Sequence, residues 1–154
     1  MEYSLEKCDG LINYVQYIES QGATVDGIGT QMHISLNSDK DKIVQMFQKL
    51  AATGKLIKIS EFDVRLGTNA PTPAQLADQA AMYQYVLDMY REYIPEAQQY
   101  GVTIWGISDN GQENEFWLPD ESPNVWDNNY QRKQADKGVA DGLAGRDVSE
   151  DFSG

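Results

Sequence analysis

Glu61 and Asp63 stand two residues apart near the end of an apolar run, Leu56-Ile57-Lys58-Ile59-Ser60-Glu61-Phe62-Asp63-Val64. Two-residue alternation along a strand predicts that Ile57, Ile59, Glu61 and Asp63 share one face and Lys58, Ser60 and Phe62 the other. A face that begins apolar and ends in two acids suits a parallel barrel strand at its C-terminal mouth, where such barrels hold their chemistry. A carboxylate kept ionised there can attack a sugar's anomeric carbon. That retaining chemistry also needs a second carboxyl, about 5–5.5 Å away, as acid and base. A structural carboxylate pair is the competing reading of this segment.

Two further runs place polar groups at the same end. Gly27, Gly29, Gln31 and His33 alternate with Ile28, Thr30, Met32 and Ile34, so the chain's one histidine closes a face of small and polar residues. The run Val102–Ile107 puts Thr103 and Trp105 on one face, with Asp109 just beyond. Core packing alone does not ask for Gln/His, Glu/Asp and Trp at one mouth. In this arrangement His33 hydrogen-bonds Glu61 and Asp63 holds the imidazole, keeping the nucleophile positioned and charged. Trp105 and Trp117 offer flat faces for a sugar ring. A metal centre fails for want of ligands, with one histidine and no paired spacing. A serine triad fails for want of a nucleophile elbow. Gly27-Ile28-Gly29 lies inside a strand, and no Gly-rich phosphate loop follows one. No cofactor is implied.

The elements that must carry these residues alternate. Asp9 is placed to cap a helix bearing Leu11, Val15 and Ile18, with Gly22 after its end. Ala23 to Ser35 reads as a strand. Ser38 with Asp41 resembles a capping box for a helix striped by Ile43, Val44, Phe47, Leu50 and Ala51, ended by Gly54. After the Glu61 strand, Thr72, Pro73 and Gln75 open a long helix buried along Leu76, Ala80, Tyr83, Val86, Leu87 and Tyr90. A short helical stretch follows Pro95, then the Val102–Ile107 strand. A polar loop from Ser108 to Asn129 leads to a weak helix around Ala135, Val139 and Leu143. The polar tail, 144–154, is expected to fray. This order means an α/β fold, either an open doubly wound sheet or part of a (β/α)8 barrel, and the polar strand ends favour the barrel.

The totals fit. The 154 residues, 41% of them hydrophobic, suffice for one core. A net charge of −12 argues against nucleic acid or an anionic membrane as partner and suits a neutral substrate. No apolar run approaches the roughly 20 residues of a membrane span, and the N-terminus lacks a signal-peptide core. The single Cys8 makes no intrachain disulfide and is expected to be buried and inert.

Four motifs then line up with one family. Asp26-Gly27-Ile28-Gly29-Thr30-Gln31-Met32-His33 resembles the D-G-I-G-x-Q-x-H strand of glycoside hydrolase family 10, the endo-β-1,4-xylanases. Ile59-Ser60-Glu61-Phe62-Asp63-Val64 is similar to its I-T-E-L-D-V nucleophile strand. Thr103-Ile104-Trp105-Gly106-Ile107-Ser108-Asp109 is similar to its T-x-W-G-V-x-D strand. Pro123-Asn124-Val125-Trp126-Asp127 followed by Lys133 resembles its closing segment.

The resemblance implies the C-terminal half of a (β/α)8 barrel over residues 1–143: strands six to eight with flanking helices. It makes Glu61 the nucleophile, with Gln31 and His33 lining the site and Asp63 supporting His33. Trp105 and Trp117 shape the subsite for the reacting sugar. It implies xylan or a xylo-oligosaccharide as substrate, the barrel's N-terminal half as partner, and a secreted, periplasmic or cell-surface location. Two departures stand out. The loop from Asp109 to Trp117 is longer than the family's pattern. The family's acid/base glutamate closes the fourth strand in an Asn-Glu pair, whereas this chain begins after the fifth; its one such pair, Asn114-Glu115, follows the last strand and is not that acid. Other readings are a cellulase- or mannanase-like β-glycanase, or a noncatalytic carbohydrate-binding or degenerate remnant.

Overall fold

The first helix, α1 (Leu5–Ser20), starts a turn ahead of the cap expected at Asp9. The hydroxyl of Ser4 accepts the N–H of Lys7 at 3.1 Å and satisfies one of the amides that a helix start leaves open. The computed structural model describes residues 4–152. Strand β1 (Gly27–Ser35) is followed by α2 (Lys40–Ala51), β2 (Leu56–Arg65), α3 (Pro73–Tyr93), β3 (Gln99–Ile104) and α4 (Gln134–Ala144), with 3-10 turns at Glu96–Gln98 and Ser149–Phe152. Asp39, not Ser38, caps α2, accepting the amides of Asp41 and Lys42. Asp9 instead pairs with Lys49 across α1 and α2 at 2.8 Å.

The chain folds as two compact units. One takes the chain up to Met32, Ser38–Phe62 and Met89–Thr103; the other takes His33–Asn37, Asp63–Asp88 and the chain from Ile104 onward.

The first unit is built on the sheet, ordered β1-β2-β3. The β1–β2 pairing is parallel, because both chain numbers rise together: Gly27 lies against Leu56, Gly29 against Ser60, and Gln31 bonds Glu61. Gly27 is packed closely, since a Cβ there would sit 3.0 Å from the Leu56 carbonyl oxygen. Ile43, Met46, Phe47 and Leu50 of α2 are buried together with Ile57, Ile59 and Phe62 of β2, and Cys8 is buried as expected. The Tyr90 hydroxyl donates to the Ile57 carbonyl at 2.6 Å, and its ring meets Phe47 edge-on at 5.8 Å. Tyr90 is thus core.

Strand β2 corrects one expectation. Ile57 and Ile59 are buried, but the next buried apolar residues are Phe62 and Val64. The alternation slips by one at Ser60–Glu61. Ser60 lies beside Gly29 and Glu61 bonds Gln31, so two consecutive residues of β2 meet the Gly29–Gln31 face of β1. Glu61 is therefore not on the face of Ile57 and Ile59.

In the second unit Thr72 and Gln75 form the expected reciprocal box: the Gln75 amide donates to Thr72 Oγ1 at 3.2 Å, and the Thr72 amide to Gln75 Oε1 at 2.9 Å. Helix α4 packs on α3 through glycines. A Cβ on Gly138 would lie 2.3 Å from the Ala80 carbonyl oxygen, and one on Gly142 2.7 Å from Leu87 Cβ. The inward face of α4 is therefore Ala135, Gly138, Asp141 and Gly142, while Leu143 is exposed. The tail does not fray as far as it is described. Gly145 ends α4 in the left-handed region, Asp141 accepts the Val148 amide at 3.0 Å, and Val148 is buried. Residues 153 and 154 of that tail lie outside the described residues. Strand β3 runs earlier than the expected Val102–Ile107, ending at Ile104 just before Trp105.

Candidate active site

Strand β1 alternates cleanly, burying Ile28, Thr30, Met32 and Ile34 and leaving Gly27, Gly29, Gln31, His33 and Ser35 on the more open face. In the first unit this brings Gln31 to Glu61. The Gln31 side-chain amide donates to Glu61 Oε1 at 3.0 Å. An amide N–H given to a carboxylate fixes one of its oxygens in place.

In the second unit the anchor is Asp63, fully buried. Its Oδ2 lies 2.8 Å from His33 Nδ1 and accepts Trp117 Nε1–H at 2.8 Å. Burial pushes the Asp63 carboxyl above its ordinary range, against the pull of the Trp117 and His33 hydrogen bonds and of the charges on His33 and Arg65. An ionised Asp63 can only accept, so it holds His33 in the form whose Nδ1–H donates to Oδ2. Aromatic rings surround the imidazole: Trp117 at 4.5 Å between centroids, Trp105 edge-on at 6.3 Å.

The loop carrying Trp117 is held from below. Asn114 is buried; its amide donates to the Ser108 carbonyl at 2.8 Å and its oxygen accepts from Asn124 at 3.1 Å. The Trp117 N–H returns to the Asn114 carbonyl at 3.0 Å. Beneath lies a buried ion pair, Lys133 Nζ to Asp109 Oδ2 at 2.7 Å, with Lys133 also donating to the carbonyls of Ser122 and Asn124. Burial raises Asp109 and lowers Lys133, and their mutual hydrogen bond opposes both shifts. Gly106 is required where Asn124 crosses: its φ is 81°, and a Cβ there would meet the Asn124 side chain at 3.0 Å.

Of the expected residues, Gln31 and Glu61 meet in the first unit, and His33, Asp63, Trp105 and Trp117 cluster in the second. Sequence reading missed the second donor to Asp63, the Trp117 indole. It also missed Asn114 as that tryptophan's anchor, although Asn114 lies three residues ahead of it. Glu115 of the same Asn-Glu pair is exposed. Among the described residues no group of three or more His, Cys, Asp or Glu could hold a metal ion, and no helix is long and apolar enough to cross a membrane.

Residues 1–142 match the model of glycosyl hydrolase family 10. An endo-1,4-beta-xylanase A of Thermoanaerobacterium saccharolyticum is 33% identical over 148 residues, which are 91% of this chain and 12% of that protein. Among solved structures, a thermostable mutant of a xylanase from Cellvibrio japonicus superposes with a TM-score of 0.83 at 31% identity. The match covers 94% of this chain and 47% of that one. A mutant xylanase 10C of the same organism, in complex with xylopentaose, gives 0.84 at 27% identity over 94% of this chain and 32% of that one. The chain thus spans less than half the length of these relatives. The match gives the fold as the C-terminal part of a (β/α)8 barrel. The chain belongs to glycosyl hydrolase family 10.

Proposed function

We propose that this chain is the nucleophile-bearing part of a retaining endo-1,4-β-xylanase. A Glu61 oxygen attacks the anomeric carbon as the glycosidic C–O bond breaks, giving a glycosyl ester that water then hydrolyses. Gln31 holds the other carboxylate oxygen. His33, fixed by Asp63 and Trp117, supplies a second oriented polar group, and Trp105 with Trp117 holds the reacting sugar. The observation that carries this reading is the 3.0 Å Gln31–Glu61 hydrogen bond, supported by the family match. The carboxyl that protonates the leaving oxygen, and later takes a proton from water, comes from the barrel's N-terminal half, in the same polypeptide or a second one. Without it the chain turns over xylan poorly or not at all. Residues 1–143 form the catalytic part, and 144–154 lie beyond it. Polymeric xylan does not cross a membrane, which supports a secreted, periplasmic or cell-surface place for action on the polymer.

A slow substrate tests the nucleophile without the missing acid. A 2-fluoro-xylobioside with a dinitrophenolate leaving group needs no protonation to depart, so a competent nucleophile is trapped as its ester. Mass spectrometry should place the adduct on the peptide containing Glu61, and Glu61→Gln should abolish it. An adduct that persists in Glu61→Gln would remove Glu61 from the mechanism. No adduct even with an N-terminal half added would favour the noncatalytic remnant.

A further inference from the structure

We propose that a cleft one step along the strands from the His33–Asp63 pair, with Arg65 in its wall, binds a carboxylate-bearing sugar branch of the polysaccharide. This rests on the xylanase reading and names a feature of the substrate it takes.

The cleft lies within the second unit and has a volume of about 420 Å³. It is lined by Ser35, Leu36 and Asn37, where β1 ends, and by Arg65, Leu66 and Gln75, from the end of β2 to the first turn of α3. Its place follows from the strands. Ser35 stands two residues beyond His33 in β1, and Arg65 two beyond Asp63 in β2, so each pair shares a strand face. His33 and Asp63 meet at 2.8 Å. The residues roughly 7 Å further along the two parallel strands are those that line the cleft. The positive charge of Arg65 is felt at Asp63, where it helps to draw the carboxyl down against burial.

The backbone holds Arg65 in place. On one side the Val64 amide donates to the Pro123 carbonyl at 3.3 Å, and on the other the Leu66 amide donates to the Glu121 carbonyl at 2.8 Å. The guanidinium itself is underused. Its one ion pair among the described residues runs from Nε to Glu121 Oε2 at 3.6 Å, beyond hydrogen-bond range. Both side chains of that pair are 36% exposed, so water screens it. No hydrogen bond among the described residues occupies the two Nη groups. Gln75 adds a second donor. Its Oε1 accepts the Thr72 amide at 2.9 Å, which fixes the side-chain amide and leaves Nε2 to donate.

The ligand class follows from these groups. A planar guanidinium offers paired N–H donors that match the two oxygens of a carboxylate. No acid lines the cleft, although acids outnumber bases by 24 to 12 in the whole chain. An anion that the net charge of −12 repels elsewhere is therefore accepted here. On a polysaccharide such an anion is the carboxylate of a uronic acid unit. Leu36 and Leu66 give its ring an apolar wall, and Asn37 and Gln75 give its hydroxyls polar partners.

Isothermal titration with a xylotriose bearing one glucuronate branch, and with the same sugar after its carboxyl is reduced to an alcohol, tests this. The acidic sugar should bind about 3- to 10-fold more tightly, between a screened ion pair and a hydrogen bond to a charged group. Arg65→Gln should erase that preference and Arg65→Lys should keep part of it. Glu121→Gln, which frees the guanidinium, should increase it. Equal affinity for the two sugars, or a preference that survives Arg65→Gln, overturns the proposal and leaves the xylanase reading standing. A preference lost in Glu121→Gln would make the ion pair a structural tie and overturn it as well. Should circular dichroism show Arg65→Gln unfolded, the Glu121→Gln result decides alone. If neither sugar binds the parent, both readings fail.

Discussion

Replacing Trp117 by phenylalanine keeps an aromatic ring and removes one N–H donor. That donor ends on a demanding acceptor. Asp63 is fully buried, its Oδ2 shared by the Trp117 indole and His33, each at 2.8 Å. Its Oδ1 has no hydrogen-bond partner among the described residues. Burial holds the carboxyl above its ordinary range, and the Trp117 bond is the largest of the influences drawing it back. A hydrogen bond to a charged group contributes about 1.5–3 kcal/mol, and one between neutral groups about 0.5–1.5. Trp117→Phe should therefore cost about 1.5–3 kcal/mol where Asp63 is ionised and about 0.5–1.5 where it is protonated.

The pH dependence has a definite sign. A carboxyl raised in the folded state binds more protons folded than unfolded between its two pKa values, so stability falls as pH rises through that window. Asp63 thus costs the protein nothing below the ordinary carboxylate range. The full penalty applies above its folded value. Losing the indole raises that value further and deepens the neutral-pH penalty. Urea unfolding of parent and variant, from about pH 4 to pH 7, should show a stability gap that widens with pH. A gap equal at both ends, or one below about 0.5 kcal/mol at neutral pH, would refute the idea that the indole serves a buried charge.

Gly138→Ala forces a methyl to within 2.3 Å of the Ala80 carbonyl; overpacking of this kind should cost about 1–3 kcal/mol or more in urea unfolding, and no loss would mean α4 slides freely on α3. Lys133→Met takes the Nζ donor from buried Asp109 Oδ2 and the Asn124 carbonyl, while Gln79 still serves the Ser122 carbonyl; urea unfolding should show a loss of about 3–5 kcal/mol, with part recovered when Asp109→Asn is added. Asp147 is held down to about 2 by the Ser149 hydroxyl and amide and by Lys137. Its contribution is present above the unfolded value of about 3.9 and lost as pH falls through about 2. Asp147→Asn should flatten the acid limb of stability followed by circular dichroism between those values.

The sequence is most legible where one period rules without interruption. In β1 the open face of Gly27, Gly29, Gln31 and His33 is the one that alternation predicts, and it delivers Gln31 to Glu61 and His33 to Asp63. The Thr72–Gln75 box and the Ile43, Phe47, Leu50 stripe are local signals with local partners. Asp9 shows the limit. Ser4 and Asp9 are both acceptors ahead of apolar positions, and Lys49, forty residues away, decides which of them caps.

The departures from the expected pattern fall around Glu61 and Trp117. Strict alternation along β2 puts Glu61 with Ile57 and Ile59, yet those isoleucines are buried and Glu61 is turned to Gln31 instead. A strand in unbroken register could not bury Ile57, Ile59, Phe62 and Val64 while also presenting Glu61 and Asp63 away from them. One break in the alternation at Ser60–Glu61 resolves that conflict, and neither propensity nor periodicity marks where it falls. The Trp117 loop follows the same logic. Its path is set by a buried asparagine pair, an ion pair and left-handed Leu118 and Ser122, all polar or strained features that a hydrophobic pattern does not encode. Each is locally unfavourable, and each is held in place by the packing around it. The slip at Ser60–Glu61 gives Glu61 its aim, and the anchored loop gives Asp63 its second donor. The positions of Glu61 and of the second donor to Asp63 therefore depend on breaking the rule that made the rest of the chain readable.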